Sequence, residues 1–129
     1  MTGERLRTPL ARVRGLGSAK SGTEDFWGLR VTAVAAIPLT IAFVLIVVSL
    51  LGRNHAAAQQ ILGTPLVAIV ILLFIGAGTY HMRIGMQVII EDYVHDEIWK
   101  LVTLMANTFF SFAVGLAAVF AVLKLSFGL

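Results

Sequence analysis

The chain has no cysteine and very little charge. Without cysteine it can form no disulfide, iron–sulfur cluster or thiolate metal site of its own. Any metal would have to be held by histidine or oxygen ligands. Only 13% of its 129 residues are charged while 58% are hydrophobic, with a mean hydropathy of +0.90. Soluble domains carry roughly 25% charge. Whole stretches contain no charge: from Arg30 to Arg53, from Lys100 to Lys124, and from Arg53 to Arg83 apart from His55 and His81. Each exceeds the ~20 residues that cross ~30 Å of hydrocarbon as a helix. The expectation is an all-α membrane protein of three transmembrane helices, too small for a separate soluble catalytic domain. No internal repeat or low-complexity tract is evident.

The charge that is present is concentrated at the amino-terminal end. Arg5, Arg7, Arg12, Arg14, Lys20 and Arg30 face only Glu4, Glu24 and Asp25, and account for the net charge of +3. A basic tail beside a membrane helix sets topology more often than it binds nucleic acid. Its arginine-rich, acid-poor character also suits part of a mitochondrial transit peptide. It is not a secretory signal, because the apolar run from Val31 is too long. The first link holds only Arg53, so positive-inside bias predicts a cytoplasmic amino terminus, or a matrix one in a mitochondrion. Residues 1–24 read as a basic tail and 25–129 as the three-helix anchor domain.

Helix one is expected at about 26–51, with Ser21, Thr23 or Asp25 as candidate caps. Trp27 falls at the membrane–water interface, and Pro38 should bend the helix. Gly52-Arg53-Asn54-His55 marks its exit, and a short polar link follows from Ala56 to Gly63. Helix two is expected at about 64–90, with Thr64 as cap and Pro65 at the first helical position. Helix three is expected at about 98–125. Its phenylalanines, Phe109, Phe110, Phe112 and Phe120, suit lipid or neighbouring helices, and Ala113, Ala117 and Ala121 form a small-residue stripe. Three crossings then place the 91–98 loop on the cytoplasmic side.

The informative segment is His81-Met82-Arg83-Ile84-Gly85-Met86-Gln87-Val88-Ile89-Ile90-Glu91-Asp92-Tyr93. Ionisable groups at membrane depth are costly and mark functional sites. Eleven helical steps of ~100° bring Asp92 to within ~20° of the face of His81, about 16 Å further along the axis. Ala77, Gly78 and Gly85 flank His81 and leave space for something broad and flat. A porphyrin fits that description, and histidine is a common axial ligand to haem iron. The alternative is a histidine hydrogen-bonded to a neighbouring helix, with the small residues serving helix packing. His95 and His55 are badly placed for the same iron, so a second axial ligand would come from another chain.

Arg83 suits a haem propionate or a quinone-site carboxylate, or a side chain snorkelling to the interface. Arg30 has the same choice at the start of helix one. Glu91, Asp96 and Glu97 read as a solvated acidic loop or a docking surface. Tyr93 can donate a hydrogen bond and Asp92 can accept or relay a proton, as quinone reduction requires. The bland reading of this pair is an interfacial aromatic beside a solvated charge.

The pattern His81-x-x-Ile84-Gly85-Met86-(x)5-Asp92-Tyr93 resembles that of the small hydrophobic membrane-anchor subunit of succinate dehydrogenase, respiratory complex II. Asp25-Phe26-(x)3-Arg30-x-Thr32-Ala33 is similar to the start of that family's first helix. The resemblance spans residues 24 to 125. It implies a non-catalytic subunit of a succinate:ubiquinone oxidoreductase of the respiratory chain and tricarboxylic acid cycle; the short tail, running almost directly into helix one, favours a bacterial inner membrane over a mitochondrial one. The resemblance further implies His81 as one axial ligand to haem b, with the second from a cytochrome b556 anchor subunit. Tyr93 and Asp92 would belong to the ubiquinone site, and Arg30 to the propionate region. An iron–sulfur subunit and a flavoprotein subunit would be the soluble partners. The rivals are an anchor of a related fumarate reductase or formate dehydrogenase, and a small proton-coupled transporter with His81 and Arg83 in its pathway.

Overall fold

The computed structural model describes residues 8–15 and 21–129. Arg5, Arg7 and Lys20 of the basic tail lie outside the described residues. All regular structure among the described residues is helical: α1 (Pro9–Arg14), α2 (Ser21–Leu50), α3 (His55–Leu62), α4 (Pro65–Tyr93) and α5 (Glu97–Ser126). The helices α2, α4 and α5 are the three long enough and apolar enough to cross a membrane. In hydrocarbon a helix satisfies every interior backbone group within itself, which is why uncharged runs of this length adopt it.

The helix boundaries differ from the sequence expectation at specific places. The first long helix begins at Ser21, so Thr23 and Asp25 lie inside it and do not cap it. It continues uninterrupted through Pro38. It ends where Gly52 takes a left-handed φ of 72°, a conformation that glycine adopts without a Cβ penalty. The expected polar link is a helix, α3. The Asn54 side chain accepts a hydrogen bond from the Ala57 amide at 2.9 Å, and the residues that follow, Ala56-Ala57-Ala58-Gln59-Gln60, favour helix. Thr64 stands at the cap position of α4 with Pro65 following it. Its hydroxyl turns back to the Gln60 carbonyl and does not cap α4.

At the other end, α4 runs three residues beyond the expected boundary and takes in the whole Glu91-Asp92-Tyr93 triplet. Only Val94, His95 and Asp96 separate it from α5. Asp96 caps α5, accepting from the amides of Ile98 and Trp99, each at 3.0 Å. A carboxylate at a helix amino terminus satisfies free N–H groups and meets the positive end of the helix dipole.

Helix α4 is the middle of the bundle, with α2 and α5 packed on it and few contacts between those two. The packing is antiparallel. Thr32, near the start of α2, meets His81, and Asn107, near the start of α5, meets Arg83. The α2 start, the Asp92-Tyr93 end of α4 and the α5 start therefore share one end of the bundle. Burial is sparse: Ala68, Ile71, Ile84, Ile90 and Ser111 are the buried residues among those described. Large apolar side chains on all three helices are exposed, including Phe109, Phe110, Phe112 and Phe120. The Ala113-Ala117-Ala121 stripe also faces outward. Surface of this kind needs lipid or another chain against it.

Candidate functional site

His81 projects from α4 towards α2, where its Nδ1 lies 3.1 Å from the Thr32 hydroxyl oxygen. That hydroxyl also lies 2.7 Å from the Gly28 carbonyl, one helical turn back, and 3.2 Å from the Leu29 carbonyl. Gly28 is where the two helices close up. A Cβ there would sit 2.6 Å from the Tyr80 hydroxyl and 2.8 Å from its ring, so no larger residue fits without moving the tyrosine. The histidine is half-buried, and its Nε2 makes no hydrogen bond among the described residues.

The glycines near His81 are not used for packing within the chain. A Cβ added at Gly78 or Gly85 would meet nothing within 4 Å. Gly115 on α5 is different, because a Cβ there would lie 3.1 Å from the Thr79 methyl on the other side of α4. The small residues around His81 thus border free surface, as a flat group or a close neighbour from outside the chain would need. A site with one free histidine nitrogen, open glycines and apolar surroundings fits a planar porphyrin in its donor chemistry and its available space. No cluster of three metal-ligating side chains occurs among the described residues. His55 begins α3 at the opposite end of the bundle, and His95 lies in the α4–α5 turn.

Arg83 points to the other side of α4, ~200° around the axis from His81. Its own carbonyl accepts a hydrogen bond from Asn107 Nδ2 at 2.9 Å, and the Asn107 amide oxygen is 3.5 Å from the buried Ser111 hydroxyl. The Arg83 Nε is buried with no hydrogen-bond partner. The side chain lines a groove of about 520 Å³ between α4 and α5, together with Ile75, Thr79, Ser111 and Phe112. Side chains on a helix lean towards its amino terminus, which here is away from the nearer end at Tyr93. Arg83 also lines a second groove nearer the Tyr93 end, with Gln87, Leu104 and Asn107.

Arg30 is exposed on α2, its guanidinium 4.6 Å from the centre of the Phe26 ring. Two residues from Thr32, it lies ~200° around α2 from the His81 contact. Glu91 accepts from Gln87 Nε2 at 2.9 Å, and Asp96 is engaged as the α5 cap. Asp92 and Tyr93 are both exposed, Tyr93 at 77%, with no hydrogen-bond or ionic partner among the described residues. Among the acidic groups at this end, Asp92, like Glu97, Glu24 and Asp25, has no partner among the described residues, while Glu91 and Asp96 are engaged. The uninterrupted helix from His81 to Asp92 keeps the two on nearly the same face. Sequence reasoning missed Thr32 as the neighbour of His81, although Thr32 lies inside the Asp25-to-Ala33 motif. It also missed the Asn107–Ser111 pair, whose i, i+4 spacing in an apolar run was a readable signal.

Three helices long and apolar enough to cross a membrane, with large apolar side chains left exposed on all of them, define a membrane-spanning chain. Residues 4–122 match the model of the succinate dehydrogenase/fumarate reductase transmembrane subunit family, and the chain belongs to that family. It is 32% identical over 124 residues to the succinate dehydrogenase hydrophobic membrane anchor subunit of Paracoccus denitrificans, covering 96% of this chain and 95% of the relative. It is 30% identical over 119 residues to the protein of the same name in Rickettsia bellii (strain RML369-C), covering 91% and 94%. No solved structure gives a significant match. The chain is a membrane anchor of this family.

Proposed function

We propose that this chain anchors a succinate:ubiquinone oxidoreductase in a bacterial inner membrane and contributes half of two sites. In this reading His81 supplies one axial ligand to haem b, and the second comes from a cytochrome b556 anchor subunit. The observation that carries the reading is the state of His81. Nδ1 is engaged by Thr32, Nε2 has no partner among the described residues, and Gly78 and Gly85 leave free surface beside it. Haem, when bound, supplies a one-electron redox centre within the membrane. The resemblance assigns Arg30 to the propionate region; it is exposed beside Phe26 on the face of α2 turned away from the His81 contact.

Tyr93 and Asp92 belong to the ubiquinone site. The Tyr93 O–H donates a hydrogen bond to a quinone carbonyl oxygen and polarises it. Asp92, one step away on the same helical turn, accepts and passes on protons as the quinone is reduced. Both groups stand at the bundle end shared with the start of α2, which follows the basic tail in sequence. Positive-inside bias makes that end cytoplasmic, where iron–sulfur and flavoprotein subunits would dock. Electrons from succinate would reach the quinone through those subunits.

Two variants of the complex purified from its native host test the reading. His81→Ala should abolish the b-type haem absorption; an unchanged spectrum would exclude His81 as ligand. Tyr93→Phe should lower ubiquinone reduction about tenfold, the size of one lost hydrogen bond of ~1.4 kcal/mol in the transition state. Succinate oxidation with an artificial dye acceptor should persist. Equal loss of both activities would assign Tyr93 to assembly.

A further inference from the structure

We infer that Thr32 is a positioning residue for His81: its hydroxyl fixes the imidazole tautomer so that Nε2 is the nitrogen offered to a metal. The inference rests on the haem reading of His81 and extends it to a residue on another helix.

The hydroxyl of Thr32 has one proton and three candidate acceptors around it. A carbonyl oxygen can only accept, so the 2.7 Å approach to the Gly28 carbonyl requires that proton. Threonine within a helix commonly bonds to the carbonyl three or four residues back. With its proton committed to Gly28, the Thr32 oxygen can only accept from His81 Nδ1 at 3.1 Å. Nδ1 therefore carries hydrogen, and a neutral ring must then hold its free lone pair at Nε2. No group among the described residues uses that lone pair.

A metal-bound histidine typically donates its other N–H to an acceptor, which orients the ring and makes the ligating nitrogen more basic. Gly28–Thr32–His81 has that form, with a helix carbonyl behind the hydroxyl. Gly28 also holds the distance, since only a residue without Cβ lets Tyr80 and α4 approach at that level.

The test uses the whole complex. Thr32→Val keeps the shape and removes the acceptor, Thr32→Ala removes it with less bulk, and Thr32→Ser restores it. Haem loss is followed by transfer to haem-free myoglobin, and the haem midpoint potential is measured on the same samples. Thr32→Val and Thr32→Ala should retain haem 10–100-fold less strongly. Their potential should rise, because a less basic ligand stabilises the oxidised iron less. Thr32→Ser should behave as the parent. Parent-like haem retention and potential in Thr32→Val would overturn the inference. So would loss of haem in Thr32→Ser as deep as in Thr32→Ala, since that would assign the effect to the threonine methyl and helix packing. His81→Ala runs beside them: if it keeps the haem signal, the ligand reading itself fails, a separate outcome from an indifferent Thr32.

Discussion

Helix α4 meets its two surroundings differently. Towards α5 it meets a partner from its own chain: Thr79 lies against Gly115, and Asn107 reaches across to the Arg83 carbonyl beside the buried Ser111, with the groove of about 520 Å³ opening next to these contacts. Around His81 it meets α2 at the Gly28–Tyr80 and Thr32 contacts, while Gly78 and Gly85 border free surface. Both faces are rich in small and polar residues, and composition alone does not separate them. What separates them is whether the chain supplies its own partner. On the α5 side small residues meet side chains of this polypeptide, and on the proposed reading the His81 side is the one that a cofactor and another subunit would cover. Arg83 is the exception on the α5 side, because its Nε is buried there without a partner.

The comparison breaks most visibly at the glycines. Gly115→Leu pushes a side chain into Thr79 and should destabilise the bundle by about 1–3 kcal/mol, the usual range for overpacking. Thermal inactivation of the complex in detergent reads this out; an unchanged profile would mean that Gly115 and Thr79 are not in contact as described. A smaller effect is expected from Asn107→Leu, which removes the bond to the Arg83 carbonyl. Interhelical hydrogen bonds in membranes average about 0.6 kcal/mol, so stability should fall slightly with haem content unchanged. A large loss of haem in Asn107→Leu would show that the two faces are coupled.

Much of this architecture was legible because charge is so scarce. The gaps around Arg53, Arg83 and Lys100 mark three helices with little ambiguity, since any unpaired backbone in hydrocarbon is prohibitive. The ends were less legible. Polar residues in the first link suggested a loop, yet the Asn54 cap and the alanines make α3. The His81-to-Tyr93 spacing carried the face argument, and the unbroken helix preserves it. The Thr32 contact was hidden for a physical reason: it depends on the register between two helices 49 residues apart, which no periodicity within one helix encodes. The roles of Gly78, Gly85 and Gly115 were hidden similarly, because a glycine looks the same in sequence whether its neighbour is a helix or open space.

The central claim is that the His81 face of α4 is kept clear for a planar cofactor. The most direct measurement is the b-type haem content of the assembled complex carrying Gly85→Leu. Within this chain the leucine meets nothing within 4 Å of its Cβ, so the three-helix bundle itself should form. The account predicts an assembled complex that has lost most of its haem while succinate oxidation by dye persists. Full haem content in that variant would contradict it.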